Sequence, residues 1–149
     1  MTGSNAVASS GAARGTMADT PALLFDTTAL IDAYRGKAWL RPRFQALIDN
    51  ALDGYLSVLS EAELWRGLRP SELERHEALL SYFTILPPES TSARLAGAWM
   101  NAHEARGLGW MDALITATGQ RAGLPVFTRD ARLARLLGGE AEFELYVAA

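Results

Sequence analysis

Between Ala22 and Val147, short apolar runs alternate with longer stretches whose apolar residues recur at helical spacing. This alternation constrains the fold more than any other feature. Ala22-Leu23-Leu24-Phe25 is continuously apolar, the pattern of a strand buried on both faces. Gly54–Leu59, Phe83–Leu86, Pro125–Thr128 and Phe143–Val147 read as further strands. Helices are predicted over Thr27–Tyr34, Trp39–Leu52, a segment capped by Ser60 and reaching Leu68, a segment opened by Pro70-Ser71, and then Thr91–Arg106, Met111–Arg121 and Ala131–Leu137. Gly36, Gly107, Gly123 and Gly138 fall where these helices would stop. Strands interleaved with helices predict an α/β sandwich with a mostly parallel central sheet. Neither a repeat nor a second domain is evident. Residues 21–149 read as the folded region, and 1–20, rich in Gly, Ala, Ser and Thr, as a disordered tail.

Composition removes several function classes. The chain has no cysteine, which excludes disulfide scaffolds, Cys-ligated zinc, iron–sulfur clusters and thiol catalysis. It also suits a reducing, cytoplasmic setting. No window reaches 18 apolar residues, and the start lacks the charged and apolar regions of a secretory signal, so neither a membrane span nor export is expected. A net charge of −3 argues against a surface basic all over, although 13 of the 14 basic residues are Arg, the side chain best suited to bidentate phosphate contact.

In open parallel sheets, ligands bind beyond the carboxyl ends of the strands. Four acids are predicted there. Asp26 ends the first strand, Glu63 follows the second, Asp112 begins the helix before the fourth, and Asp130 lies two residues past the fourth. Singly, Asp26 and Asp130 could be helix N-caps, and Asp112 a first-turn acid favoured by the helix dipole. Jointly, four carboxylates on one rim would repel one another unless a cation were present. An all-oxygen donor set without His or Cys favours Mg²⁺ or Mn²⁺ over Zn²⁺.

The sequences around these acids carry a resemblance. Leu24-Phe25-Asp26-Thr27-Thr28-Ala29-Leu30, Ser60-Glu61-Ala62-Glu63-Leu64-Trp65-Arg66-Gly67, Met111-Asp112-Ala113-Leu114-Ile115-Thr116-Ala117-Thr118 and Val126-Phe127-Thr128-Arg129-Asp130 resemble, in order and spacing, the four motifs of PIN domains of the VapC toxin type. The resemblance implies a PIN-like three-layer sandwich and a divalent-metal-dependent endoribonuclease using Mg²⁺ or Mn²⁺. It implies an RNA substrate, a cognate VapB-like antitoxin and a homodimer. The family's acids fall on Asp26, Glu63, Asp112 and Asp130, and its accompanying hydroxyls on Thr27 and Thr128. Where relatives carry an aromatic residue after the last acid, this chain has Ala131-Arg132-Leu133.

Asp26, Glu63 and Asp112 are read as direct or water-bridged metal ligands, and Asp130 as serving a second ion or orienting the attacking water. Thr27 could hold a ligand carboxylate or cap a helix. Glu61 rivals Glu63, but residues two apart on a helix point about 200° apart, so only one can reach the rim; Leu64 and Gly67 favour Glu63, leaving Glu61 to solvent. Arg129 is the first candidate for phosphate binding, followed by Arg132 and Arg135, with Arg35, Lys37, Arg41 and Arg43 as a second basic cluster. His76 and His103 read as surface residues. Trp65, Trp99 and Trp110 read as core or interface residues. Leu64, Trp65, Leu68, Leu73, Leu79 and Leu80 could line an antitoxin groove or belong to the core.

A receiver domain would need a Lys after the last strand, a haloacid-dehalogenase-type phosphatase Asp-x-Asp, and a dinucleotide binder Gly-x-Gly-x-x-Gly; none is present. The alternative that remains is a PIN-fold module that binds RNA or protein without cutting.

Overall fold

The computed structural model describes residues 20–146; the tail expected over 1–20 falls outside them except for Thr20, as does Val147 of the last strand. Five parallel strands form one sheet: β1 (Ala22–Phe25), β2 (Asp53–Ser57), β3 (Phe83–Leu86), β4 (Val126–Thr128) and β5 (Phe143–Leu145), in the order β3-β2-β1-β4-β5. β1 is central, pairing Phe25 with Leu56 on one side and with Phe127 on the other. Its continuous apolar run follows from that position, because both faces are covered by helices. The chain builds outward from β1 to β3 and then returns to add β4 and β5 on β1's other edge. The direction of strand order therefore reverses between β1 and β4, the position where such sheets open a crevice at their carboxyl ends.

Side-chain alternation along the strands divides the core. Leu23, Phe25 and Phe127 face a cluster with Ala29 and Leu30 of helix α1 (Thr27–Tyr34), Leu47 of helix α2 (Arg41–Ile48), and Leu40, Leu52 and Leu56. Leu24 and Val126 face the opposite way, onto Ile115 of helix α6 (Trp110–Arg121). Beyond them Ala113 and Ala117 of α6 pack on Ala96, Trp99 and Met100 of helix α5 (Ser90–His103) and on Leu133 and Leu137 of helix α7 (Ala131–Leu137). Helices α3 (Val58–Arg66) and α4 (Leu73–Leu80) complete the set. The result is the expected three-layer α/β sandwich. α6 comes unusually close to the sheet at Gly119, where an added Cβ would sit 3.1 Å from Val126 Cγ2 and 3.2 Å from Leu24 Cδ2.

The helix expected over Thr91–Arg106 is α-helical over Ser90–His103 and ends in a 3₁₀ turn, Glu104–Arg106, and three other boundaries differ from expectation for local reasons. β2 ends at Ser57, and Ser57 rather than Ser60 caps α3, its hydroxyl accepting from Leu59 N at 3.1 Å. Ser60 is thereby inside the helix and buried. The helix expected over Trp39–Leu52 is a 3₁₀ turn at Ala38–Leu40 followed by α2, which starts around Pro42 and stops before Asn50, whose φ of 58° turns the chain away. The segment after Pro70 likewise begins as 3₁₀ turn Pro70–Glu72 before α4.

His76 is corrected from surface to interior: it is 1% exposed, on the edge of the Trp65 ring at 4.8 Å and near Tyr34. His103 is largely buried too, 3.6 Å from Glu140. Trp99 is core, whereas Trp65 and Trp110 are 41% and 55% exposed. Among the described residues no helix is long and apolar enough to cross a membrane.

Candidate active site

The crevice between β1 and β4 is built from caps. Asp26 follows β1 in extended conformation and is the N-cap of α1, its Oδ1 accepting from Ala29 N and from the Thr28 hydroxyl, both at 2.8 Å. Its Oδ2 accepts from the hydroxyl of Thr128, the last residue of β4. Thr128 Oγ1 in turn accepts from Asp130 N at 3.0 Å, and Asp130 caps α7 through Leu133 N at 3.0 Å. Asp26 and Asp130 each cap a helix, and capping brings each to the rim. Asp26 is 7% exposed and Thr128 fully buried, so the pair is rigid and largely dry.

Thr27, the first residue of α1, joins the second acid. Its Oγ1 donates to Glu63 Oε1 at 2.6 Å and lies 3.0 Å from Ser60 Oγ. A hydroxyl has one proton and the carboxylate can only accept, so Ser60 completes the chain by donating to Thr27. Asp26, not Thr27, is the cap of α1. On α3, Glu63 faces this bond while Ala62 is exposed; Glu61, expected in solvent, is half-buried. Asp112 is the third residue of α6, a helix whose N-terminus points at the same rim.

Electrostatics ties the four acids together. The Asp112 carboxyl is pushed up to about 6, first by burial and then by the charges of Asp130, Asp26 and Glu63, with Arg132 opposing. Asp26 is raised as well, by burial foremost and also by Asp130, against the hydrogen bonds of Thr128, Ala29 and Thr28. Each acid on the rim is therefore within electrostatic reach of Asp112.

Among the described residues no three His, Cys, Asp or Glu side chains close around one point as a finished metal site. The donor set nevertheless fits a hard divalent cation. It consists of carboxylate oxygens only, and its members raise Asp112 by mutual repulsion that a bound cation would relieve. Asp26 Oδ1 already accepts two hydrogen bonds, leaving Oδ2 as the oxygen with a free lone pair.

Of the basic candidates, Arg129 is 43% exposed and donates through Nε to Asp32 Oδ2 at 2.7 Å. Arg132 donates to Gly107 O at 3.1 Å. Gly107 has φ 99°, and an added Cβ there would lie 2.6 Å from Arg132 Nη1. In the second cluster Arg43 is paired with Glu144, and Lys37 lies over the Trp39 ring. Asp32 is the functional candidate that sequence reasoning missed. The available signal was a charged residue three positions after Ala29, on the buried stripe of α1.

A cleft of about 210 Å³ opens beside Glu63, lined by Ile31, Tyr34, Leu64, Leu68 and His76 among others. Leu64 and Leu68 of the expected groove line it; Leu79 is in the core instead, and Leu73 and Trp65 are exposed.

The PIN domain family matches residues 23–138, most of the chain and all four acids. The chain belongs to the PIN domain family. PIN domains of the VapC type are in general nucleases. Among solved structures, a toxin–antitoxin complex from Klebsiella pneumoniae is similar at 26% identity over 85% of this chain and 99% of that one, with a TM-score of 0.67. FitAcB from Neisseria gonorrhoeae shares 25% identity over 82% and 96%, also at 0.67. The DNA-bound VapBC of Salmonella typhimurium, at 22% identity over 83% and 97% with a TM-score of 0.69, shows the same fold. No curated protein sequence matches the chain. The matched stretch spans the β1/β4 crevice and the four acids beside it.

Proposed function

We propose that this PIN domain is a divalent-metal-dependent endoribonuclease acting as the toxin of a toxin–antitoxin pair in the cytoplasm. The observation that carries the reading is the gathering of Asp26, Glu63, Asp112 and Asp130 at the strand-order reversal, near enough that the other three charges add to burial in raising Asp112. Asp26, Glu63 and Asp112 would hold the cation, Mg²⁺ or Mn²⁺, and Asp130 would serve a second ion or orient water. A divalent cation supplies a nucleophile at neutral pH and charge to offset the phosphoryl oxygens. The protein's own part is to fix the acids. Thr128 holds Asp26, Thr27 holds Glu63, and the α1 and α7 caps stop both aspartates from swinging away. Arg129 would take a phosphate of the RNA strand with the exposed part of its guanidinium.

Support for the partner comes from the likeness to the Klebsiella toxin–antitoxin complex and from the cleft beside Glu63. We assign that cleft to a segment of a VapB-like antitoxin, whose cation could reach the acids in place of the metal. Assembly as a homodimer would cover exposed apolar side chains such as Trp65, Leu73 and Trp110. The test is cleavage of a single-stranded RNA by the purified chain with Mg²⁺, with EDTA, and with Mg²⁺ restored. Cleavage that follows the cation supports the reading. RNA binding without cleavage under every condition would favour the non-cutting module.

A further inference from the structure

Asp32 is a carboxylate 2% exposed on α1, outside the four acids and used by none of the roles above. A buried carboxylate requires partners. It has two, both on Oδ2: Arg129 Nε at 2.7 Å and the Tyr146 hydroxyl at 2.9 Å. Tyr146 is itself fixed, its N donating to Thr128 O at 3.1 Å and its ring packed on Phe127 at 4.6 Å. Burial, followed by the Asp32 hydrogen bond, raises its phenol above the ordinary range, so the hydroxyl remains a donor. The three side chains form a bracket joining α1, the end of β4 and the segment after β5.

The mode of contact matters. An Arg–carboxylate pair serving only stability commonly uses the terminal fork, two parallel bonds to one carboxylate. Here Asp32 takes Nε, the donor nearest the stem, at 2.7 Å. That holds the guanidinium at its stem, with the Tyr146 hydroxyl also within its hydrogen-bonding reach, while the Arg129 side chain stays 43% exposed. Arg129 lies in the chain between Thr128, which bonds Asp26, and Asp130, so its backbone borders the acid crevice. A crevice of four acids repels a polyanion, and an untethered Arg could fold onto those acids instead of facing substrate.

We propose that Asp32, with Tyr146, is the positioning residue that holds Arg129 at the crevice rim as a preset phosphate clamp for the RNA strand. The proposal rests on the ribonuclease reading above. Asp32 does not touch RNA; it acts through Arg129.

The experiment measures binding of a fluorescent single-stranded RNA to the full chain across a KCl series, in an Asp112→Asn background that suppresses cutting. Arg129→Gln is expected to weaken binding roughly three- to tenfold at low salt and to reduce the slope of log Kd against log[KCl] by about 0.7, the value for one phosphate on a single strand. Asp32→Asn should reproduce most of both changes, and the double variant should add little to either. With Asp112 intact, the Asp32→Asn defect should fall on KM. Should Asp32→Asn fail to fold, Arg129→Lys serves in its place. Lysine keeps the charge but cannot bond Asp32 through an Nε and still offer a planar pair of donors, so it should bind RNA nearly as weakly as Arg129→Gln. Parental affinity and salt slope in Asp32→Asn or in Arg129→Lys, or fully additive losses in the double variant, would overturn the proposal. A parent that neither binds nor cuts RNA is a separate result, which overturns the ribonuclease reading and this one with it.

Discussion

Thr27 Oγ1 donates to Glu63 Oε1 across 2.6 Å, joining the first residue of α1 to the middle of α3. The bond spans 36 residues of sequence and fixes the one rim acid that is not at the start of its helix. Thr27→Val keeps the shape and removes the donor. Cleavage at low Mg²⁺ should fall about 10- to 100-fold, as when an outer partner of a metal ligand is lost. High Mg²⁺ should recover part of it, and Thr27→Ser should cleave like the parent. A titration of rate against Mg²⁺ for the three proteins checks this.

Glu63→Gln should be far more damaging than Glu61→Gln. Glu63 bonds Thr27 and contributes to the field at Asp112, whereas Glu61 does neither in the structure. Because Glu61 is half-buried, its substitution should cost a little stability but not metal response. Cleavage rates and melting curves of the two variants, measured side by side, separate these effects. An inactive Glu61→Gln beside an active Glu63→Gln would reverse the assignment.

Thr128 is fully buried and uses its hydroxyl twice, donating to Asp26 and accepting from Asp130 N. Thr128→Val strands both groups. Urea unfolding should show a loss of about 1–3 kcal/mol, the range for buried polar groups left without partners. Thr128→Ser should recover most of it.

Much of this was legible in the sequence, for identifiable reasons. Ala22–Phe25 is buried on both faces and so is continuously apolar, and β1, α1, β3 and α7 lie where the apolar runs and their polar stops place them. The start of α3 was not legible. Ser57 and Ser60 are equally good caps by type, and the choice is made in three dimensions, where Ser60 is required beside Thr27. His76 was misread because two histidines without ligand spacing look like surface residues, while its burial depends on Trp65 and Tyr34, 11 and 42 residues away. Asp32 was overlooked since its partners, Arg129 and Tyr146, lie about a hundred residues downstream and no local motif announces them.

The acids also predict a pH dependence for chelator-treated protein. Asp112 titrates near 6 in the folded chain against 3.8 unfolded, and Asp26 is raised as well. Above about 4 the folded state holds a proton that the unfolded state has lost, so stability falls as pH rises through about 6, and the raised Asp26 adds to the fall. Melting temperatures in EDTA should fall across that window, and Asp112→Asn should flatten the fall and melt a few degrees higher at pH 7, each 1 kcal/mol being about 3–6 °C for a domain of this size. A melting temperature in EDTA that rises over the same window would contradict the raised Asp112 carboxyl.

The most direct measurement is calorimetric titration of Mg²⁺ or Mn²⁺ into the chelator-stripped chain at pH 7, run beside single-stranded RNA cleavage in the same buffer. The account predicts saturable binding by the parent, cleavage that rises with occupancy, and loss of both in Asp26→Asn and Asp112→Asn while the fold persists. RNA cleavage undiminished in EDTA, or an Asp112→Asn chain that binds the cation and cuts RNA like the parent, would contradict it.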